Sequence, residues 1–294
     1  MSIAAAAGVG AALAAALCWT LASSLWRGWP GGLDPARLNL LKNGLALALL
    51  LPLAVLLPGW PGAKGLALLA LSGVVGIAAG DTLFLAALRQ LGTRRTLTID
   101  AGGPALTTLG GLLWLGERPA LAQGLGIVLI ALAVLEVARQ RPAAGRLGTP
   151  PAAGLGPLLA LGALVCGSAG ALLARSAWLL GEIEPVHAAV VRLAAAALVL
   201  LPLLRGWPRG PAHRPGAGPR AWPRLLLATL LGTALGIVLQ QAALARLGSG
   251  PAQALMATAP LMALSLARLE GDRPGWSGWL AAILGLAGVS LVAG

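Results

Sequence analysis

Lys42, Asp81, Asp100 and Arg192 are ionisable residues set inside long apolar stretches, and they are the positions at which this sequence could do chemistry. Asp81 lies in the run GIAAGDTLFLAALRQLG, residues 76–92, and no other charge occurs between Gly65 and Leu88. A charge in hydrocarbon costs at least about 2.5–3.5 kcal/mol, so a carboxylate in such a place is neutral, paired or facing water. Two of these side chains are basic and two acidic. Mutual pairing, binding of a charged solute and carriage of a proton are the chemistries open to them. The two histidines, His187 and His213, are isolated, and there is no His-Glu-x-x-His pair, so no metal site is expected. No phosphate-cradling loop of the nucleotide-binding type occurs, and no cofactor is implied.

The elements that must carry these residues follow from composition. Of the 294 residues 58% are hydrophobic and only 10% charged, and the mean hydropathy is +0.86. That is the composition of a polytopic membrane protein. A bilayer core about 30 Å thick takes roughly 20 apolar residues of helix. Such stretches number ten: Ile3 to Leu25, Leu38 to Leu57, Gly65 to Leu88, Thr96 to Leu115, Ala120 to Val137, Leu155 to Leu179, Val186 to Leu204, Trp222 to Ala245, Ala252 to Leu266 and Trp276 to Val292. The joints between them, such as PGWPGAK and RQRPAAGRLGTPPAAG, are polar or rich in Pro and Gly and cannot continue a helix. Trp26, Trp29, Trp60, Trp178, Trp207, Trp222 and Trp276 fall at or beside segment ends, where an amphipathic indole sits best. The first segment lacks a basic leader and is too long for a cleaved signal core, so it reads as a retained helix. Cys18 and Cys166 fall inside helices and predict no disulfide framework. The net charge of +12 sits in short loops beside membrane segments, the pattern of anchoring to anionic lipid rather than to nucleic acid.

The chain also repeats itself at a spacing near 150 residues. CWTLASSLWR (18–27) aligns with CGSAGALLAR (166–175), PARLNLLKN (35–43) with PVHAAVVRL (185–193), LRQLGT with LARLGS, and GERP (116–119) with GDRP (271–274); Pro104 and Pro260 also correspond. The implied organisation is a five-helix repeat over 1–138, a linker loop over 139–153, and a second five-helix repeat over 154–294. Five being odd, the second copy enters the membrane from the opposite side. Inverted repeats of this kind characterise secondary transporters that work by alternating access.

These residues allow a family to be named. ALCWTLASS in the first helix, a basic residue in the second, GDTLFLAALRQLG in the third, Pro104 followed by LGE in the fourth, and a small-residue fifth helix resemble the ten-helix EamA-type members of the drug/metabolite transporter superfamily. The resemblance covers essentially the whole chain. It departs at Lys42, where arginine is commoner, and at Gly167, where the first repeat has Trp19. It implies an all-α membrane fold and export or exchange of metabolites, amino acids among them, across the inner membrane.

Helix rise sets depths: Lys42 is roughly 10 Å in from Pro35, Asp81 roughly 12 Å in from Arg89, and Asp100 roughly 6–8 Å from the same side. A Lys42–Asp81 pair is therefore allowed. A central cavity is expected, lined by Trp19, Thr20, Ser23, Lys42, Asp81, Asp100, Ser168, Arg192 and Gln240, with Pro104 and Pro260 as bend points. Plainer readings stand beside this one. The charges could lock helices together, Asp100 could pair with Arg94 or Arg95, Thr20, Ser23 and Ser168 could satisfy their own backbone, and Trp19 could be a packed core indole. Gly73, Gly76 and Gly80 read as helix-packing positions. Glu117 and Asp272 are expected to pair locally with Arg118 and Arg273.

Loops one, three, five, seven and nine hold 15 Lys and Arg, whereas the even loops hold 3. The charge rule puts the odd loops in the cytoplasm and both termini outside; the resemblance implies cytoplasmic termini. The expectation is thus a secondary transporter, not an enzyme, for a small polar metabolite, with membrane lipid around it, protons as candidate coupling ions, and a monomeric or homodimeric state. An intramembrane aspartyl protease using Asp81 and Asp100 is a rival, although the chain reads AAGD where such enzymes carry Gly-x-Gly-Asp. A lipid-linked substrate flippase on the same fold is another.

Overall fold

The structure is a computed structural model that describes residues 2–27, 33–100, 102–139, 155–206, 221–259, 261–262 and 276–293, and among these every regular element is helical. Helix α1 spans Ile3–Arg27 and α2 spans Pro35–Leu56. Asp34 starts α2: its carboxylate accepts from the Arg37 N–H at 3.0 Å, and Pro35 sits in the first turn, where a missing N–H is harmless. Pro58 stops it. Leu57 turns extended before that proline, and the Ala54 carbonyl, whose helical partner would be the absent Pro58 N–H, accepts instead from His187 Nε2 at 2.8 Å.

Helix α3 (Ala63–Ser72) passes into a π-helical run over Gly73–Asp81 and then into α4 (Thr82–Asp100). After a turn at Gly102 come α5 (Gly103–Gly110) with a π-helical end over Gly111–Leu115, α6 (Leu121–Arg139), α7 (Leu155–Trp178) and α8 (Pro185–Leu200) with a 3₁₀ tail over Leu201–Gly206. Gly116, at φ 67°, takes the left-handed conformation that ends the α5 segment. Helix α9 (Ala221–Thr229), a π-helical run over Leu230–Leu235 and α10 (Gly236–Arg246) follow, then α11 (Ser249–Met256) and α12 (Trp276–Ala293).

The third loop was expected at residues 89–95, but α4 continues to Asp100 and the turn falls at Gly102. Gly92 alone does not stop a helix, whereas Gly102-Gly103-Pro104 supplies both an end and a start. Asp100 therefore closes α4 instead of lying inside the fourth span. Pro104 stands in the first turn of α5, where it breaks no intrahelical bond, and so is no bend point. Pro260, Asp272, Arg273, His213 and the linker from residue 140 on lie outside the described residues.

Among the described residues six helices are long and apolar enough to cross a membrane: Ile3–Trp26, Pro35–Leu56, Ala63–Leu91, Leu155–Trp178, Pro185–Arg205 and Trp222–Arg246. Shorter apolar helices occupy Gly103–Leu115, Leu121–Ala133 and Trp279–Val292. The ninth expected span is described only in its first half, as α11. Leucines and valines such as Leu113, Leu198 and Leu286 are exposed on the outside, as a lipid-facing surface requires.

The helices pair in a pattern that survives exchange of the two halves. α2 packs on α8, α5 on α11 and α6 on α12, each an element against its own counterpart. The α3–α4 segment packs on α7, and in the other half α9–α10 packs on α1. Small residues make these approaches possible. A Cβ on Gly76 would lie 3.2 Å from the Gly170 Cα, and one on Gly80 would lie 3.3 Å from the Cys166 Cβ, so the two segments run antiparallel in close contact. Their counterparts do the same, with Gly232 against Ala22 and Gly236 against Trp19.

Candidate functional site

Between these helix pairs lies a cavity of about 190 Å³. Trp19, Ser23, Lys42, Asp81, Asp100, Pro104, Ser168, Arg192 and Gln240 all lie on its wall. Thr20, expected there, does not: it is fully buried and donates to the Ala16 carbonyl at 2.8 Å and the Ala259 carbonyl at 3.0 Å, tying α1 to the region after α11. A hydroxyl four residues from a helical carbonyl satisfies its own backbone, which is the plainer of the two readings.

The π-helical runs over Gly73–Asp81 and Leu230–Leu235 shape the wall. A π turn widens the helix and loosens its hydrogen-bond ladder, so carbonyls become available to side chains. In the run over Gly73–Asp81, the Ile77 carbonyl accepts from Asn39 Nδ2 at 2.8 Å, and the Ala78 carbonyl accepts from Thr82 Oγ1 at 2.6 Å. In the run over Leu230–Leu235, the Gly232 carbonyl accepts from Trp19 Nε1 at 2.9 Å. Trp19 thus has its indole pinned while its ring faces the cavity.

Lys42 Nζ lies 2.5 Å from Asp81 Oδ2 and donates to Asn43 Oδ1 at 3.2 Å. The pair answers the question of the buried carboxylate: Asp81 is paired, and with 36% of its side chain exposed it also faces the cavity, whereas Lys42 is almost sealed at 5%. Asn39 and Asn43 bond one another at 3.1 Å and hold this corner of α2 against the π run. Sequence reasoning passed over these asparagines. The signal available was three polar residues at 39, 42 and 43, one helical face, in an otherwise apolar span.

Arg192 is buried, with 3% exposure, and its Nη1 donates to Gln240 Oε1 at 2.7 Å; its Nε has no hydrogen-bond partner among the described residues. Gln240 is an amide, and among the described residues no carboxylate lies within ion-pair distance of the guanidinium. Ser168 Oγ, also on the cavity wall and buried, likewise has no partner. Asp100 is exposed, and the space it faces is the cavity. Among the described residues the wall therefore carries one ion pair, Lys42–Asp81, together with the Asp100 carboxylate and the Arg192 guanidinium, neither of them in a salt bridge. Lys42 takes Asp81, and among the described residues no hydrogen bond joins Asp81 to Asp100 as a proton-sharing dyad requires.

Glu117 was expected to pair with Arg118. It turns inward instead, accepting from Arg175 Nε at 2.7 Å, from the Ser249 N–H at 2.7 Å and from Ser249 Oγ at 2.6 Å. The exposed Arg118 would have held it in water; Arg175 offers a drier, better desolvated partner near the start of α11, whose backbone donors favour a carboxylate.

The family model described as the EamA-like transporter family matches residues 6–139 and again 154–294. A search of curated protein sequences finds no match. Among 28 matching chains of solved structure, one described as "Crystal structure of protein" is similar over 97% of this chain and 96% of its own. Its TM-score is 0.72 at 19% identity, which is a likeness of fold. With two copies of the family model spanning nearly the whole of an all-helical, multi-pass membrane chain, the protein belongs to the EamA-like transporter family.

Proposed function

We propose that the protein is a secondary transporter that exports or exchanges a small polar metabolite across the cytoplasmic membrane by alternating access, the solute lying in the cavity that Asp100 and Arg192 share. The observation that carries this reading is the charge on the wall. A pocket with one free carboxylate and one guanidinium bonded only to an amide complements a solute bearing both an ammonium and an acidic group, as an amino acid does. Arg192 Nε and Ser168 Oγ, on residues of the cavity wall, are buried without a partner among the described residues, a cost that a rearranged, solute-bound wall would relieve. The antiparallel contacts Gly76–Gly170 and Gly232–Ala22, related by exchange of the halves, support two five-helix repeats inserted with opposite polarity. Asp81 and Asp100 are the groups proposed to carry a coupled proton.

The test is counterflow in proteoliposomes holding the purified chain, with a panel of labelled amino acids, carboxylates and amines, with and without a pH gradient. Zwitterions should exchange and compete with one another, while simple carboxylates and simple amines should not. Selective exchange of anions alone overturns the role given to Asp100. If Asp81→Asn and Asp100→Asn both exchange at the original rate with unchanged pH dependence, protons are not coupled through either.

A further inference from the structure

We infer that Glu117, Arg175 and Ser249 form a latch that keeps one face of the transporter shut while its cavity lies open toward the other. The inference rests on the alternating-access reading above but names a device that reading does not contain.

On the inverted-repeat reading the loops after the fourth, sixth and eighth spans share one side of the membrane, and Glu117, Arg175 and Ser249 lie beside them. Glu117 belongs to the first half and the other two to the second. The carboxylate takes three hydrogen bonds across that boundary, and within the second half Arg175 Nη1 donates to the Leu244 carbonyl at the end of α10 at 2.7 Å. Four elements are thus tied at one point: the end of α5, the end of α7, the end of α10 and the start of α11. Both charged side chains are largely sealed, at 16% and 17% exposure, so water does not compete for the bonds. The packing beneath is built for closeness. A Cβ on Gly111 would lie 2.6 Å from Ser249 Oγ and 2.9 Å from Glu117 Oε2, so only glycine leaves room for the contact.

The cavity extends the opposite way. Its wall reaches Trp26 at the end of α1 and Leu97 in α4, near the loops after the first and third spans, and includes none of the latch residues. Separating the halves on the latched face requires the three bonds of Glu117 to break together, which is the behaviour of a bistable element. The sequence also treats the trio as a set: the repeat alignment brings Arg27, Thr93 and Asp272 to the positions of Arg175, Ser249 and Glu117.

The experiment uses spin labels at the exposed positions Arg118 and Glu182, one on each half of the latched face, in the full-length protein in lipid nanodiscs without added solute. Pulsed dipolar spectroscopy should give one dominant short distance for the parent. Arg175→Gln removes the ion pair, and Gly111→Ala wedges Ser249 from Glu117 without touching a charge. Each should raise the population of a longer distance about tenfold. Distance distributions that superimpose on the parent for both variants overturn the latch, and a misfolded Arg175→Gln protein leaves Gly111→Ala to decide. Counterflow by the parent is scored separately, so a failed latch with intact exchange is distinguishable from a failed transport reading.

Discussion

Lys42 and Arg192 stand at matching positions of the two repeats and meet different partners. Lys42, in the first half, is matched by Asp81 at 2.5 Å. Arg192, in the second, finds Gln240 at 2.7 Å, because the position corresponding to Asp81 is Ile237, which also lines the cavity. The helix pairings and the π-helical runs over Gly73–Asp81 and Leu230–Leu235 repeat between halves, but the charges on the cavity wall do not. The lesson is a division of labour. A symmetric frame is what lets one shape be exchanged for its counterpart, while an asymmetric wall lets a single solute orientation be recognised. Neutralising both basic residues would leave a cavity with nothing to hold an acidic group; neutralising neither would leave two costly charges in the membrane.

The most damaging way to break the comparison is Lys42→Ala, which strands Asp81 without its partner. A loss of about 3–5 kcal/mol is expected, seen as a fall in melting temperature in detergent and in folded yield. The double variant Lys42→Ala/Asp81→Ala should recover most of that loss. If the single variant is as stable as the parent, the pair is not what makes the carboxylate tolerable.

A second substitution sharpens the comparison by making the halves alike. Ile237→Asp introduces a carboxylate where the second repeat lacks one, and it should pair with Arg192 and take the guanidinium from the solute. Half-saturation for counterflow is expected to rise about 10- to 100-fold, the worth of one charge-assisted hydrogen bond, with Arg192→Gln giving a similar rise. Unchanged half-saturation in both would remove Arg192 from the binding wall.

The smallest effect concerns the shared frame. Gly170→Ala brings a Cβ to 2.8 Å from the Gly76 Cα, and backbone cannot give way as a side chain does. A cost of about 1–3 kcal/mol in thermal stability is expected, with half-saturation unaltered. Counterflow that loses affinity rather than stability would mean this contact shapes the cavity directly.

The class of the molecule, its family and its division into two related halves could be read from the chain alone. Hydrocarbon demands long apolar helices with their backbone bonds closed, and that demand is written in local composition. Lys42 and Asp81 were legible as a pair because helix rise alone sets depth along the membrane normal. Depth says nothing of azimuth. Thr20 lies on the same helix as Trp19 and Ser23, yet packing gave its hydroxyl the Ala259 carbonyl to donate to, away from the cavity. The helix end at Asp100 depended on Gly102 and Pro104 outweighing Gly92, a choice among weak stop signals. Glu117 had an adjacent arginine as the obvious partner, and it was the meeting of α5, α7 and α11 from both halves that offered Arg175 and Ser249 instead. Sequence determines which groups a membrane forces to be satisfied. Which partner satisfies each one is decided by side chains distant in the chain that packing brings within hydrogen-bond reach.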